Sequence, residues 1–273
     1  MKPARWFPGA LIVTAALALA WSERRSALRR RVEPQLSHTG RNLTVAACGA
    51  LALHLAERPV VSRVAALVAR RGWGLLPRLR LPRWLEVPVA MVLMDYTLYL
   101  WHVLCHRSPL LWRAHAVHHI DRDLDASTAL RFHFLELTAS VPWRAGQVAM
   151  IGVSPFALSV WQTWLMLSIL FHHSNLALPL GLERRLGWLI VTPRMHGIHH
   201  SIDEDEVNTN WSSGLTLWDW LHGTLRRDVP QRAITIGVRP FVDPESVRLP
   251  RMLALPFDQV SDDLLRRRSA ETE

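Results

Sequence analysis

Apolar runs alternate with arginine-rich and histidine-rich stretches along this 273-residue chain. Residues 6–21 form an uncharged run with tryptophan at each end, which predicts a short first transmembrane helix. A signal peptide is the alternative, but the heavier positive charge, at residues 24–31, follows the run. Residues 43–55 are fewer than the roughly 20 that a span needs, so we expect a tilted, partial or re-entrant span there.

Three further apolar runs predict helices at residues 85–104, 137–153 and 156–171. The first is interpreted as a membrane helix that ends at Ser108, because a residue before proline is biased away from helical geometry. The other two predict a helical hairpin in the membrane, and residues 111–120 predict a short interfacial helix. The fold class predicted is therefore all-α, an integral membrane bundle of about four membrane helices with a histidine-rich cap at the interface or in the cytoplasm.

The polar stretches between and after these runs divide the chain into three regions. Residues 1–83 are expected to hold N-terminal membrane helices and, from residue 58, a basic surface connection broken by glycine and proline. Residues 84–225 form the predicted catalytic region. Residues 226–273 are expected to be a polar tail that is soluble and partly disordered, with a strand-like segment at 234–238.

Composition supports a membrane protein, since 49% of the residues are hydrophobic and thirteen are tryptophan. The net charge of +9 comes almost wholly from arginine. These arginines flank apolar segments, which favours contact with anionic lipid head groups, and we find no nucleic-acid motif. Cys48 and Cys105 are too few and too far apart for a disulfide framework or a zinc ribbon, and Cys105 is expected to be inert packing.

Eight of the fourteen histidines fall into three groups with helical spacing. Side chains three and four positions apart share one helix face, so each group presents its imidazoles as one row. Neutral imidazole is the commonest protein ligand for transition metals, and eight rings exceed the four to six positions around one ion, so two metals are the economical interpretation. The eight candidate ligands are His102, His106, His115, His118, His119, His196, His199 and His200.

Several other polar residues are secondary candidates. His172 and His173 end a predicted helix, and one of them can face the site, although spacing does not say which. His133 and Glu136 share a helix face, which leaves His133 open to a ligand, supporting or structural role. We expect Glu136 and Asp219 to accept the free N–H of a ligand imidazole, a common arrangement around bound metals.

Isolated histidines are interpreted differently. His38, His54 and His222 stand alone and are expected to be structural or exposed. A zinc peptidase is disfavoured, because the segments HAVHH and HGIHH lack the glutamate of an H-E-x-x-H motif.

Taken together, the segments HVLCH, HAVHH, HGIHH, RFHFLE, HHSN and WDWLHGT resemble the fatty acid hydroxylase / sterol desaturase superfamily, over roughly residues 85–238. The resemblance implies an integral membrane diiron enzyme in which the eight histidines bind iron and His173 or His172 is a ninth ligand. His133 and Glu136 match a recurrent H-P-x-E element, although Phe134 replaces the proline. His222 stands where the family often has phenylalanine.

The expected function is therefore a membrane-bound oxygenase with two iron ions that uses O2 to hydroxylate or desaturate a lipid C–H bond. No haem domain is recognisable at either end, so we expect a separate electron donor of ferredoxin or cytochrome type, and we expect the histidines to face the cytoplasm. The alternatives are a non-catalytic metal-binding membrane protein and a zinc-dependent lipid hydrolase.

Overall fold

A computed structural model describes residues 7–239 and 241–258. Within these residues the regular structure is helical, and extended pairing is limited to three single bridges, so the predicted all-α class is confirmed there. The start of the first predicted helix at residue 6 and the charged end at residues 266–268 lie outside the described residues. The helices are α1 Phe7–Arg25, α2 Gln35–Ala52, α3 Arg58–Arg71, α4 Leu75–Leu79, α5 Arg83–Arg107, α6 Pro109–His119, α7 Phe134–Ile151, α8 Pro155–His173, α9 Leu180–Leu186, α10 Pro193–His199, α11 Glu204–Val207, α12 Leu217–Leu221 and α13 Leu249–Ala254.

The region from α2 to α3 differs from the sequence-based expectation. One π-helical turn, Leu53–Glu57, joins α2 to α3 without a break, so the short apolar run is part of a much longer helical segment. The predicted surface connection at residues 58–83 is also wrong, because Val61, Ala65 and Val68 of α3 are buried and α3 packs on α7. These apolar residues have helical spacing, but the exposed arginines on the opposite face of α3 concealed it.

Two glycines allow the turn after α3 to touch the turn after α7. Gly74 has φ +97° and Gly152 has φ +81°, a left-handed region that favours glycine. A Cβ built on Gly74 would lie 2.3 Å from the Cα of Gly152, so a side chain at that position would push the two turns apart. This contact fixes the ends of α3 and α7 against each other, far from the histidines.

Two helical stretches among the described residues are long and apolar enough to cross a membrane, Gln35–Leu79 and Arg83–Arg107. Leu36, Leu51 and Leu55 on the first stretch are more than half exposed, as expected for side chains that face lipid. The predicted number of four membrane helices is not confirmed by this criterion and stays a prediction.

Helices α3, α5, α7 and α8 enclose the largest apolar core, which includes Met94, Val148 and Trp161. Proline sets where the histidine-bearing helices begin. Ser108 is extended, and Pro109 takes the first position of α6, where its missing N–H costs no helical hydrogen bond. As a result α6 starts directly after α5 and the two pack together, so that their histidines meet.

Residues 227–239 and 241–258 are more ordered than expected for a soluble tail. Phe241, Val247, Met252 and Leu255 pack with residues of α6, including Val117, in a second apolar core. The strand-like segment at 234–238 forms no strand and makes a single bridge, between residues 201 and 236. The C-terminal segment therefore supports the helix that carries three of the histidines.

Candidate metal centre

The structure brings nine histidines together in two adjoining sets, all of them buried. The ligand atoms of each set lie within 4.8 Å of one another. The eight candidates with helical spacing are all included, and His173 is the ninth. The first set is His102, His106, His115, His119 and His199, and the second set is His118, His173, His196 and His200.

Short nitrogen–nitrogen distances show that the rings of the second set point at one place. The Nε2 atom of His173 lies 3.0 Å from that of His118 and 2.9 Å from that of His196, and the Nε2 atoms of His196 and His200 are 3.1 Å apart. Two imidazole nitrogens bound to one metal at about 2.1 Å and at right angles lie about 3.0 Å apart. The spacing is therefore that of ligands around a single ion.

The two sets also adjoin each other. The rings of His119 and His200, one from each set, are stacked with centroids 4.3 Å apart. In the first set the Nε2 atoms of His115 and His119 are 3.2 Å apart. Two ions held by these sets would be neighbours.

Hydrogen bonds on the outer nitrogen orient four of the nine rings. The Nδ1–H of His102 donates to the carbonyl oxygen of Trp211 at 2.7 Å, and that of His199 donates to the carbonyl of Thr209 at 2.8 Å. His173 donates to the carbonyl of its own helix at residue 169, and His115 donates to Glu136. Each bond leaves a lone pair on Nε2, turned towards the cluster.

The histidine-rich centre favours neutral rings. Burial first, and then the neighbouring imidazoles, lower the pKa of His118, His119, His196 and His200 well below the ordinary value. Burial likewise lowers the pKa of His199 to about 3. The Nε2 of His199 is buried and has no hydrogen-bond partner among the described residues. Neutral rings with unused lone pairs fit a bound cation and not a solvated cluster.

The two predicted carboxylates have different positions. Oε1 of Glu136 accepts from Nδ1 of His115 at 2.9 Å, which is the contact expected from the sequence. Asp219 makes no such bond in the described chain. Its carboxylate accepts from the backbone N–H groups of Trp211 and Ser212 at 2.9 and 3.0 Å and from the hydroxyl of Thr224. Asp219 therefore acts indirectly. It holds the loop that contains Trp211, and the carbonyl of Trp211 orients His102.

His133 and His172 lie outside both sets. The Nδ1 of His133 accepts from the backbone N–H of Leu135, so His133 caps the N-terminus of α7. His172 is buried with its ring centroid 4.1 Å from that of His196, and its Nδ1 has no hydrogen-bond partner among the described residues. Of the adjacent pair, His173 is the residue that the structure brings into the cluster.

A buried polar network fixes the loop after α6, and sequence spacing gave no sign of it. Nε2 of His38 lies 2.9 Å from Asp121, and its Nδ1 lies 3.3 Å from Asp125. Arg131 is 3.2 Å from Asp121 and donates to the carbonyl of Val117. Burial alone would raise the pKa of Asp121, but Arg131 and His38 lower it, so this carboxylate stays charged. His38 is thus structural, as expected, but it is fully buried.

A second positioning contact also escaped the sequence analysis. The guanidinium of Arg29 donates to the carbonyl of Pro193 and to Gln231 beside α10. A Cβ on Gly197 would lie 2.3 Å from this guanidinium, so glycine is required for the approach. Cys105 is fully buried as expected, and its sulfur lies within 4.8 Å of ligand atoms of His115 and Glu136.

The histidines form the inner wall of a cavity of about 670 Å³. Its lining combines His102, His115, His118, His173 and His196 with side chains from α2, α5, α7 and α8, most of them apolar. A pocket of this kind suits an apolar molecule with one part held against the cluster.

The sequence of the chain is similar to that of a known protein family. A sequence model described as Fatty acid hydroxylase matches residues 87–224, about half of the chain. The chain belongs to this family. The matched region includes all nine clustered histidines, together with Glu136 and Asp219.

Similar proteins are lipid-oxidising enzymes by name. The chain is 30% identical over 158 residues to the ornithine lipid hydroxylase OlsE of Rhizobium tropici, covering 58% of the chain and 46% of that protein. It is 29% identical to the alkylglycerol monooxygenase of Homo sapiens, covering 51% and 30%. It is 28% identical to the cholesterol 25-hydroxylase of Mus musculus, covering 56% and 51%. The chain spans about half or less of these relatives, and no solved structure matches it.

Proposed function

We propose that this protein is a membrane-bound oxygenase that hydroxylates or desaturates a C–H bond of a lipid with O2. The observation that carries the proposal is the convergence of nine buried histidines, in two adjoining sets, at the wall of an apolar cavity. Membership of the fatty acid hydroxylase family supports the same chemistry.

The two sets would hold two iron ions, the first with five imidazoles and the second with four. Iron bound there would supply the O2 activation that an unactivated C–H bond requires. The protein's own contribution is to keep the rings neutral and oriented. Trp211 and Thr209 accept at the backbone, and the carboxylate of Glu136 accepts from Nδ1 of His115 and fixes the orientation of that ring.

The cavity would bind the substrate and exclude water from it. Trp101, Phe132 and Ile169 line the cavity near the histidines, and Phe132 stacks on His118 with ring centroids 4.5 Å apart. These side chains would hold an apolar carbon of the substrate beside the cluster, so that the reaction takes place within one bound complex. They would therefore determine which carbon of the substrate is oxidised.

The proposed reaction takes place at the cytoplasmic face of a membrane. The two apolar helical stretches would span the membrane and place the histidines at its cytoplasmic face. Arginines that flank these stretches suit anionic lipid head groups. A separate electron donor of ferredoxin or cytochrome type would reduce the metals from the cytoplasm.

The experiment that tests this function is reconstitution of the full chain in lipid nanodiscs with iron, a reductant and isotopically labelled O2. We expect an oxidised lipid that appears only with both iron and O2, carrying the label if the reaction is hydroxylation. A matched sample reconstituted with zinc should be inactive. Lipid hydrolysis by the zinc sample without O2 would establish the hydrolase instead, and iron binding without any O2 consumption would establish a non-catalytic metal protein.

A further inference from the structure

The cavity continues away from the histidines to a region that contains a half-buried arginine, Arg144. Glu136, Ser140 and Arg144 all line it, and because they are four residues apart they form one stripe along α7. Glu136 is at the histidine end, where it bonds to His115. At 1.5 Å per residue, Arg144 lies about 12 Å further along the helix.

Two hydrogen-bond donors in this part of the cavity have no acceptor. The Nε of Arg144 and the Nε1 of Trp161 are both buried and lack a partner among the described residues. The two side chains are in contact, because the Cζ of Arg144 lies 4.7 Å from the centre of the Trp161 ring. A buried donor without an acceptor is costly, so two of them lining one cavity indicate a ligand group that accepts hydrogen bonds.

The positive charge of Arg144 indicates which kind of ligand group would accept these hydrogen bonds. Glu57, in the π turn after α2, also lines the cavity and interacts favourably with the charge of Arg144. The Nε–H remains unpartnered despite this neighbour. Hydrogen bonds from arginine to an anionic oxygen are about twice as strong as bonds between neutral groups, so a carboxylate or phosphate fits this position better than an ester or an alcohol.

The walls between the two ends are mostly apolar. Such a lining accommodates a hydrocarbon segment. The side chains concerned are Leu53, Leu98, Leu137, Leu165 and Met166.

We propose that the substrate is an anionic lipid whose carboxylate or phosphate binds Arg144 and Trp161, with the oxidised carbon at the histidine end of the same cavity. This inference rests on the proposed function and adds the substrate class and two specificity-determining residues to it. Arg144 and Trp161 would position the lipid and set which carbon reaches the metals.

The test is equilibrium binding to the full chain in nanodiscs, measured with and without iron. Three radiolabelled ligands of equal chain length are compared, namely dodecanoate, dodecyl phosphate and methyl dodecanoate. We expect at least one anion to bind roughly tenfold more tightly than the ester. The tighter of the two anions identifies the head-group chemistry.

Variants of this arginine then show whether the preference arises at Arg144. Arg144→Gln should bind all three ligands alike, whereas Arg144→Lys should keep part of the preference for the anion. Arg63→Gln, on the exposed face of α3, is the matched control and should behave as the wild type. Melting temperatures of all variants are measured beside the binding, so that Arg144→Lys supplies the comparison if Arg144→Gln does not fold.

Two results would overturn the inference: equal binding of ester and anions by the wild type, or an unchanged preference in a folded Arg144→Gln protein. Iron content and O2-dependent lipid oxidation are measured on the same samples. Normal lipid oxidation without a preference for anions would contradict the anion site but not the proposed oxygenase function. A preference for anions that depends on Arg144, in a protein that never oxidises lipid, would support the anion site and contradict the oxygenase function.

Discussion

Oε1 of Glu136 accepts a hydrogen bond from Nδ1 of His115 at 2.9 Å, at the point where α7 meets the histidine cluster. The carboxylate fixes which nitrogen of His115 faces the metal and increases the electron density on that ring. Glu136→Gln keeps the size and a hydrogen-bonding group but removes the charge. We predict a roughly 10–100-fold loss of lipid oxidation or metal affinity in this variant.

The control for that prediction is Glu204→Gln, a carboxylate on the short surface helix α11, which should oxidise lipid at the wild-type rate. Oxidation rates are measured by mass spectrometry at matched iron loading. Glu136→Gln with wild-type rate and metal content would show that this carboxylate has only a packing role.

Asp219 is predicted to act through the loop that it holds. Asp219→Asn replaces one acceptor oxygen with an N–H donor, so one of the bonds to Trp211 and Ser212 is lost. We expect the unfolding free energy to fall by about 1–3 kcal/mol, with a smaller loss of oxidation rate than in Glu136→Gln. Asp228→Asn, whose side chain is 83% exposed, is the matched control for melting and activity measurements. Equal effects on rate from Asp219→Asn and Glu136→Gln would contradict the indirect role.

The adjacent residues His172 and His173 are predicted to differ in their effect on metal content. Nε2 of His173 is within 3.0 Å of two other ring nitrogens, whereas His172 belongs to neither set of converging ligand atoms. We predict that His173→Ala loses about one metal ion per chain and that His172→Ala keeps both. Metal content per folded chain decides between them, and the reverse pattern would mean that α8 is rotated differently when metal is bound.

His38 is predicted to matter for stability and not for chemistry. It is fully buried between Asp121 and Asp125, and removing one partner of a buried charged pair typically costs about 3–5 kcal/mol. His38→Ala should therefore melt at a clearly lower temperature in detergent while the folded fraction retains its metal. His54→Ala, at an exposed position of the π turn, should melt like the wild type. A wild-type melting curve for His38→Ala would contradict the network.

Local spacing in the sequence predicted much of the histidine cluster. His102 and His106 on α5, and the groups on α6 and α10, lie on short helical segments, where positions three and four apart must share a face. The choice of His173 over His172 was not predictable, because adjacent residues point in different directions and the rotation of α8 depends on its packing. The expectation that His133 and Glu136 share a helix face was not met, because His133 is extended and precedes the first residue of α7.

Contacts between segments that are far apart in the sequence could not be predicted from local spacing. Asp219 was expected to meet an imidazole but bonds to the loop at Trp211, whose carbonyl orients His102. Every residue has a carbonyl, so no side-chain pattern marks those that accept from a ligand histidine. Helix α3 was missed for another reason, since its buried valines and alanine alternate with exposed arginines that dominate the composition of the segment.

Iron content per chain is the most direct test of the proposal that the histidines hold two metal ions. The full chain is reconstituted anaerobically with iron in nanodiscs, freed of loose metal and analysed, with His119→Ala and His200→Ala beside it as variants of the first and second sets. We predict about two iron ions in the wild type and about one in each variant, because each variant lacks one of the imidazoles that converge on one of the two sites. A single ion in the wild type, or two ions in both variants, would contradict the account.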